Sequence, residues 1–186
     1  MERIDTYLPD YDFVERHACE VAASPEAVIA VAADYRPESD PFFRRMIALR
    51  EVPMRGLRQI LGRRDPAPAA FGLQNFLLLE QAAGGLVYGL VGRFWRADYG
   101  LVTLADGSAY RAYREPGVPK LALAFSAEPV GPGRTRLSTE TRVFCPDRGA
   151  WLRFAPYWYA IRPVSGLIRS RILASIKRQS ERRDSA

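Results

Sequence analysis

The sequence predicts an α+β domain in which a curved antiparallel sheet of about seven strands wraps a long C-terminal helix. Three observations carry this. Between residues 71 and 144 apolar side chains alternate at period two through several segments, separated by turn-forming dipeptides. After Asp147 the period changes. Trp151, Phe154, Trp158, Ile161, Ser165, Ile168, Ile172 and Ile176 recur at three and four, which draws one continuous face along a long helix. Finally, the strands follow one another through hairpin turns. They therefore cannot form a doubly wound parallel sheet, and the long helix must cover one sheet face.

The first strand runs over residues 12 to 22. Phe13, Glu15, His17, Cys19 and Val21 share one face; Val14, Arg16, Ala18 and Glu20 share the other. It breaks at Ala-Ser-Pro-Glu-Ala-Val, 23 to 28, where Ser24 suits an N-cap, Pro25 the first helical position and Glu26 the positive end of the dipole. A short helix to Asp34 follows. A second helix opens at Asp40-Pro41, and a third short one covers 54 to 61 with Gly62 as its stop. Arg44 to Ala70 is expected to form a mobile cover over a pocket mouth.

Residues 71 to 81 read as a strand that carries Asn75 on one face, and Gly84-Gly85 turns the chain into a returning strand over 86 to 94. Asp106-Gly107 is a tight-turn dipeptide, and 110 to 114 reads as a short strand. Residues 120 to 128 alternate Leu121, Leu123 and Phe125 against Ala122, Ala124 and Ser126. Residues 134 to 144 alternate Leu137, Thr139, Thr141 and Val143 against Arg136, Ser138, Glu140 and Arg142. Glu140 and Arg142 are expected to form a solvated pair worth under ~1 kcal/mol. Pro163, helped by Gly166, should kink the terminal helix.

Composition bounds the function. The 186 residues read as one domain, 1–186, without repeat or linker. The start is charged and lacks a secretory apolar segment, and no apolar run approaches the ~18 residues of a membrane helix, so the expected location is cytoplasmic. Cys19 and Cys145 form no CxxC pair, and His17 is the only histidine, so neither a metal nor any other cofactor is implied. The net charge of +6 comes from 25 Arg and 2 Lys, a bias expected of a GC-rich bacterial genome. Seven Arg fall between Arg44 and Arg64, and nine basic residues between Arg148 and Arg183. These clusters leave peripheral contact with an anionic membrane open. No nucleic-acid motif, nucleophile elbow, P-loop or dinucleotide fingerprint is present, which argues against a nucleic-acid partner. The oligomeric state is not legible.

This order of elements, with ASPEAV at 23 to 28 and TRLSTETRV at 135 to 143 running into the terminal helix, resembles the SRPBCC superfamily. That superfamily includes lipid-transfer START domains, pollen-allergen-like proteins and polyketide aromatase/cyclases. The resemblance implies a helix-grip cup around a hydrophobic ligand or lipid. It also implies that the first and last strands pair antiparallel. End-to-end pairing sets His17 opposite Thr139 and Glu15 opposite Thr141, with Cys145 far along the strand from the position facing Cys19.

The candidate ligand-binding residues are then His17, Asn75, Thr139 and Thr141 as a polar cluster, with Phe125, Trp151, Phe154 and Trp158 as apolar wall. No residue is assigned as catalytic. The leading expectation is a binder or carrier of a hydrophobic small molecule or lipid. The alternative is a cyclase/dehydratase-type enzyme with His17 as general base oriented by Glu15. There Glu15 lies near the strand's start, where water would weaken the coupling.

Overall fold

The computed structural model describes residues 3–36, 72–96 and 98–184. A 3₁₀ turn, Arg3–Thr6, precedes β1 (Phe13–Val21) and α1 (Pro25–Asp34). A second 3₁₀ turn, Leu73–Asn75, leads into β2 (Leu77–Ala82) and β3 (Gly85–Val91). Then come α2 (Gly107–Ala112), β4 (Lys120–Gly131), β5 (Arg134–Phe144) and the terminal helix α3 (Arg148–Asp184). The sheet is antiparallel in the order β1-β5-β4-β3-β2. It is open and has five strands among the described residues, not about seven. The helices expected between 40 and 61, and the cover expected over 44 to 70, lie outside the described residues.

Two expected strands changed form for local reasons. Residues 110 to 114 belong to α2 and its exit. The Oδ1 of Asp106 accepts from the backbone N–H of Ser108 and of Ala109, each at 2.8 Å, so the Asp-Gly dipeptide starts a helix instead of closing a hairpin. The strand expected from residue 71 begins only at Leu77. Before it, the Oδ1 of Asn75 accepts from the Gly72 N–H at 2.9 Å, and this local bond competes with ladder pairing. The first helix starts as its sequence dictates, with Ser24 Oγ accepting from the Ala27 N–H at 3.3 Å.

β1 and β5 pair in the end-to-end register, with His17 opposite Thr139 and Glu15 opposite Thr141. The inner sheet face holds Leu137, Val143, Leu123, Phe125 and Leu86, and it packs against α1 and α3. On α3 the residues Phe154, Trp158, Ile161, Ile168, Ile172 and Ile176 are buried, as the stripe predicts. Trp151 departs from it. At the helix start it is 40% exposed and stacks on Phe13 with ring centroids 5.9 Å apart. Helix α3 runs through Pro156 and Pro163. Both lie on its exposed side, where water can satisfy the carbonyls their missing N–H groups leave open. No helix among the described residues is long and apolar enough to cross a membrane.

Part of the outer sheet face is covered by the N-terminal segment, whose Ile4 and Leu8 pack on Val87, Ala122 and Ala124. This cover overturns the expected solvated pair. The Arg142 side chain is only 4% exposed, with Nε 2.6 Å from Glu140 Oε1 and Nη1 2.6 Å from Asp5 Oδ1. Nη1 also donates to the Leu8 carbonyl at 3.1 Å, and the guanidinium lies 4.6 Å over the Tyr11 ring. Arg16 holds the same Glu140 through two hydrogen bonds of 2.9 Å.

Candidate functional site

Alternation along β1 sends Glu15 and His17 to the same inner face, two residues apart. Their side chains meet: His17 Nε2 lies 2.8 Å from Glu15 Oε1. The Glu15 side chain is 8% exposed and the His17 side chain 26% exposed. Burial therefore couples the pair more strongly than the position near the strand's start suggested. With Glu15 accepting the Nε2 proton, Nδ1 is left as the lone-pair nitrogen of the ring.

Helix α3 crosses this pair at Gly166. A methyl group built on Gly166 would lie 3.5 Å from Glu15 Oε1 and 3.6 Å from His17 Cε1. Glycine here lets the helix backbone approach the dyad without a side chain over it. Beside the crossing is an open cleft of about 470 Å³, lined by Val14, Glu15, Arg16, His17, Tyr159, Arg162, Pro163 and Gly166. Its volume falls in the range of small-molecule sites. Arg162 is exposed at the rim of the cleft, above a carboxylate–imidazole floor; the Arg16 side chain turns to the opposite sheet face, where Glu140 holds it.

Glu15 also lines a second, narrower space between sheet and helix, only about 50 Å³. Thr141, Phe94, Phe154, Trp158 and Ile161 form much of its wall. It is too small for a lipid or a polycyclic ligand. Aromatic packing fills the volume, with the Trp158 ring 5.8 Å from Phe154 and 5.7 Å from Phe13. Among the described residues, the roomier space at the dyad is thus the cleft at the sheet's β1 side, not the centre of the cup.

The expected residues divide accordingly. His17, Thr139, Thr141 and Phe125 all lie on the inner face, with Thr139 paired to both His17 and Phe125 across the strands. Within this cluster His17 binds Glu15, and the buried Thr139 Oγ1 has no hydrogen-bond partner among the described residues. Phe154 and Trp158 line the smaller space. Trp151 lines neither space. Asn75 does not join the cluster; it lines a separate opening of about 330 Å³ with Gln74, Leu77, Gly89 and Leu101. Sequence reasoning missed Tyr159, Arg162 and Gly166. The first two fall off the apolar stripe, and in the sequence Gly166 reads only as an aid to the Pro163 kink. Cys19 and Cys145 are free thiols, and burial pushes that of Cys145 up to about 12. No group of three or more His, Cys, Asp or Glu among the described residues is placed to hold a metal ion.

No family model matches the chain. No curated protein matches it. Among solved structures, the chain is similar to the Zhui aromatase/cyclase from Streptomyces sp. R1128. That likeness has 15% identity and a TM-score of 0.34 over 92% of this chain and 94% of the other. It is also similar to the protein TTHA0849 from Thermus thermophilus, at 13% identity and a TM-score of 0.28, over 88% of this chain and 99% of that one.

Proposed function

We propose that this chain binds a small molecule with an apolar body and an oxygen-bearing polar end, a lipid or an aromatic compound, in the cleft between β1 and α3. One observation carries the reading. The Glu15–His17 pair, closed at 2.8 Å, forms the floor of a cleft of about 470 Å³, and Glu15 also borders the aromatic cavity behind it. Tyr159 and Pro163 offer the apolar body a wall, and the Arg162 guanidinium offers an oxygen its donors. Thr141, Phe154 and Trp158 back the site from within.

Catalysis by His17 is the second reading, and the orienting hydrogen bond to Glu15 favours it. A base with a fixed tautomer and a free lone pair at Nδ1 can take a proton from a carbon next to a carbonyl, the step that opens a cyclisation or dehydration. Binding and catalysis separate in one experiment. Titrate candidate apolar carboxylates and polyketide-like aromatics into the wild type, His17→Gln and Arg162→Gln, and follow turnover in the same samples. A binder loses affinity in Arg162→Gln and shows no turnover in any sample. An enzyme keeps affinity in His17→Gln and loses turnover. Unchanged affinity in both variants, without turnover, would remove the cleft as the site.

A further inference from the structure

The solvent side of α3 departs from the pattern of an ordinary surface helix, whose outer face is polar and charged. At ~100° per residue, Leu152, Pro156, Tyr159, Pro163 and Leu167 project within roughly 80° of one another. All five are exposed; Leu152, Tyr159 and Leu167 reach 54%, 62% and 57%. No charged side chain interrupts this strip. Arg153, Arg171 and Arg178 flank one margin, and Arg148 and Arg162 the other. From Arg148 to Ser180 the helix has seven basic residues and no acid.

We infer that this face of α3 docks on an anionic lipid surface, with the apolar strip entering the interface and the arginines holding lipid phosphates. An apolar stripe flanked by basic residues is the pattern of a helix that lies in the plane of a bilayer. The charge distribution selects this occupant. A second copy packed about a two-fold axis would set these arginines against the same arginines, with no acid between Arg148 and Ser180 to pair them. A nucleic acid would meet an uncharged centre, leaving Leu152 and Leu167 against phosphates. The cleft opens beside the same strip, since Tyr159 and Pro163 belong to both. The docking surface nevertheless stands independently of any ligand in the cleft.

Co-sedimentation with vesicles tests it, using phosphatidylcholine alone and phosphatidylcholine mixed with phosphatidylglycerol. The wild type should bind the mixed vesicles at low salt and release as ionic strength rises past the point where the Debye length is ~8 Å. The triple variant Leu152→Ser, Tyr159→Ser, Leu167→Ser should lose at least about tenfold in affinity, because apolar burial at the interface is removed. The variant Arg148→Gln, Arg153→Gln, Arg178→Gln should lose about a hundredfold on mixed vesicles, at roughly fivefold per charge. Both sets are exposed, so circular dichroism and the unfolding temperature should not change. Should the serine variant unfold, the glutamine variant carries the test alone. Equal binding to neutral vesicles, or binding that neither variant weakens, overturns the proposal. So does a dimer abolished by the serine substitutions, or retention by RNA with none by vesicles.

Discussion

At the scale of single residues, Gly166 decides how the helix meets the dyad. An alanine there would make ordinary van der Waals contact with Glu15 and His17, at 3.5 and 3.6 Å. Gly166→Ala should therefore raise stability by up to about 1 kcal/mol, since glycine is a poor helix residue. The same methyl group narrows the way from the cleft to Glu15, so ligand affinity should fall while the unfolding temperature rises. Chemical denaturation and a binding titration on one preparation read both. Affinity that rises or holds would mean that the cleft is not the entry. Trp158 is a second test. It is buried among Phe13 and Phe154 and borders a cavity too small to relieve its loss, so Trp158→Ala should cost about 3–5 kcal/mol. Ile172→Ala, at a buried site away from the cavity, should cost about 2–5 kcal/mol. A Trp158 variant that costs far less than the Ile172 one would mean that the tryptophan lines working space, not core. The positions of His17 and Glu15 on one face were legible from alternation alone. Their mutual bond was legible only as the orienting contact of the enzyme alternative, and its shielding from water was not, because burial of Glu15 depends on α3, which lies far away in sequence.

At the scale of elements, the N-terminal segment is the least expected feature. Its 3₁₀ turn and the residues after it cover part of the outer sheet face and turn the polar side of an alternating strand into a buried ion network. Nothing in the β5 pattern signals this, since Arg136 and Arg142 occupy the same face of the strand and only Arg142 is buried. Arg142→Met should cost about 3 kcal/mol, because Asp5 and Glu140 lose their fork-shaped donor. Arg142→Lys should rescue only part, as an ammonium cannot span both carboxylates. The network also has a pH signature. Burial works against the charge of Glu140, but hydrogen bonds from Arg16 and Arg142 outweigh it and hold the carboxyl below its usual range. A carboxyl lowered in the folded state adds stability that is complete above its unfolded value, about 4.3, and is lost as pH falls through the folded value. Denaturation midpoints should therefore drop below about pH 4.3, and less so in Glu140→Gln. Equal acid sensitivity of both proteins would remove Glu140 from the account.

At the scale of the whole molecule, the sequence conveyed the architecture better than the space inside it. The α+β class, the antiparallel sheet and the terminal helix from Arg148 follow from periodicity, and the β1–β5 register follows from the strand pairing that the resemblance implies. The strand number did not, because Asp106 caps a helix where a strand was expected, while the Asn75 bond shortens β2 without removing it. Nor did the location of the roomy site, since cleft volume depends on how α3 is set against the edge of β1. The central claim is that a small molecule enters beside Gly166 and reaches Glu15 and His17. Its most direct test is saturation binding of an anilinonaphthalene sulfonate probe, aromatic and anionic, to the wild type and to Gly166→Leu. The account predicts saturable binding at one probe per chain in the wild type. It predicts a loss of at least about tenfold in Gly166→Leu, whose side chain occupies the space over the dyad, without a fall in unfolding temperature. Equal probe affinity in two equally folded proteins would contradict it.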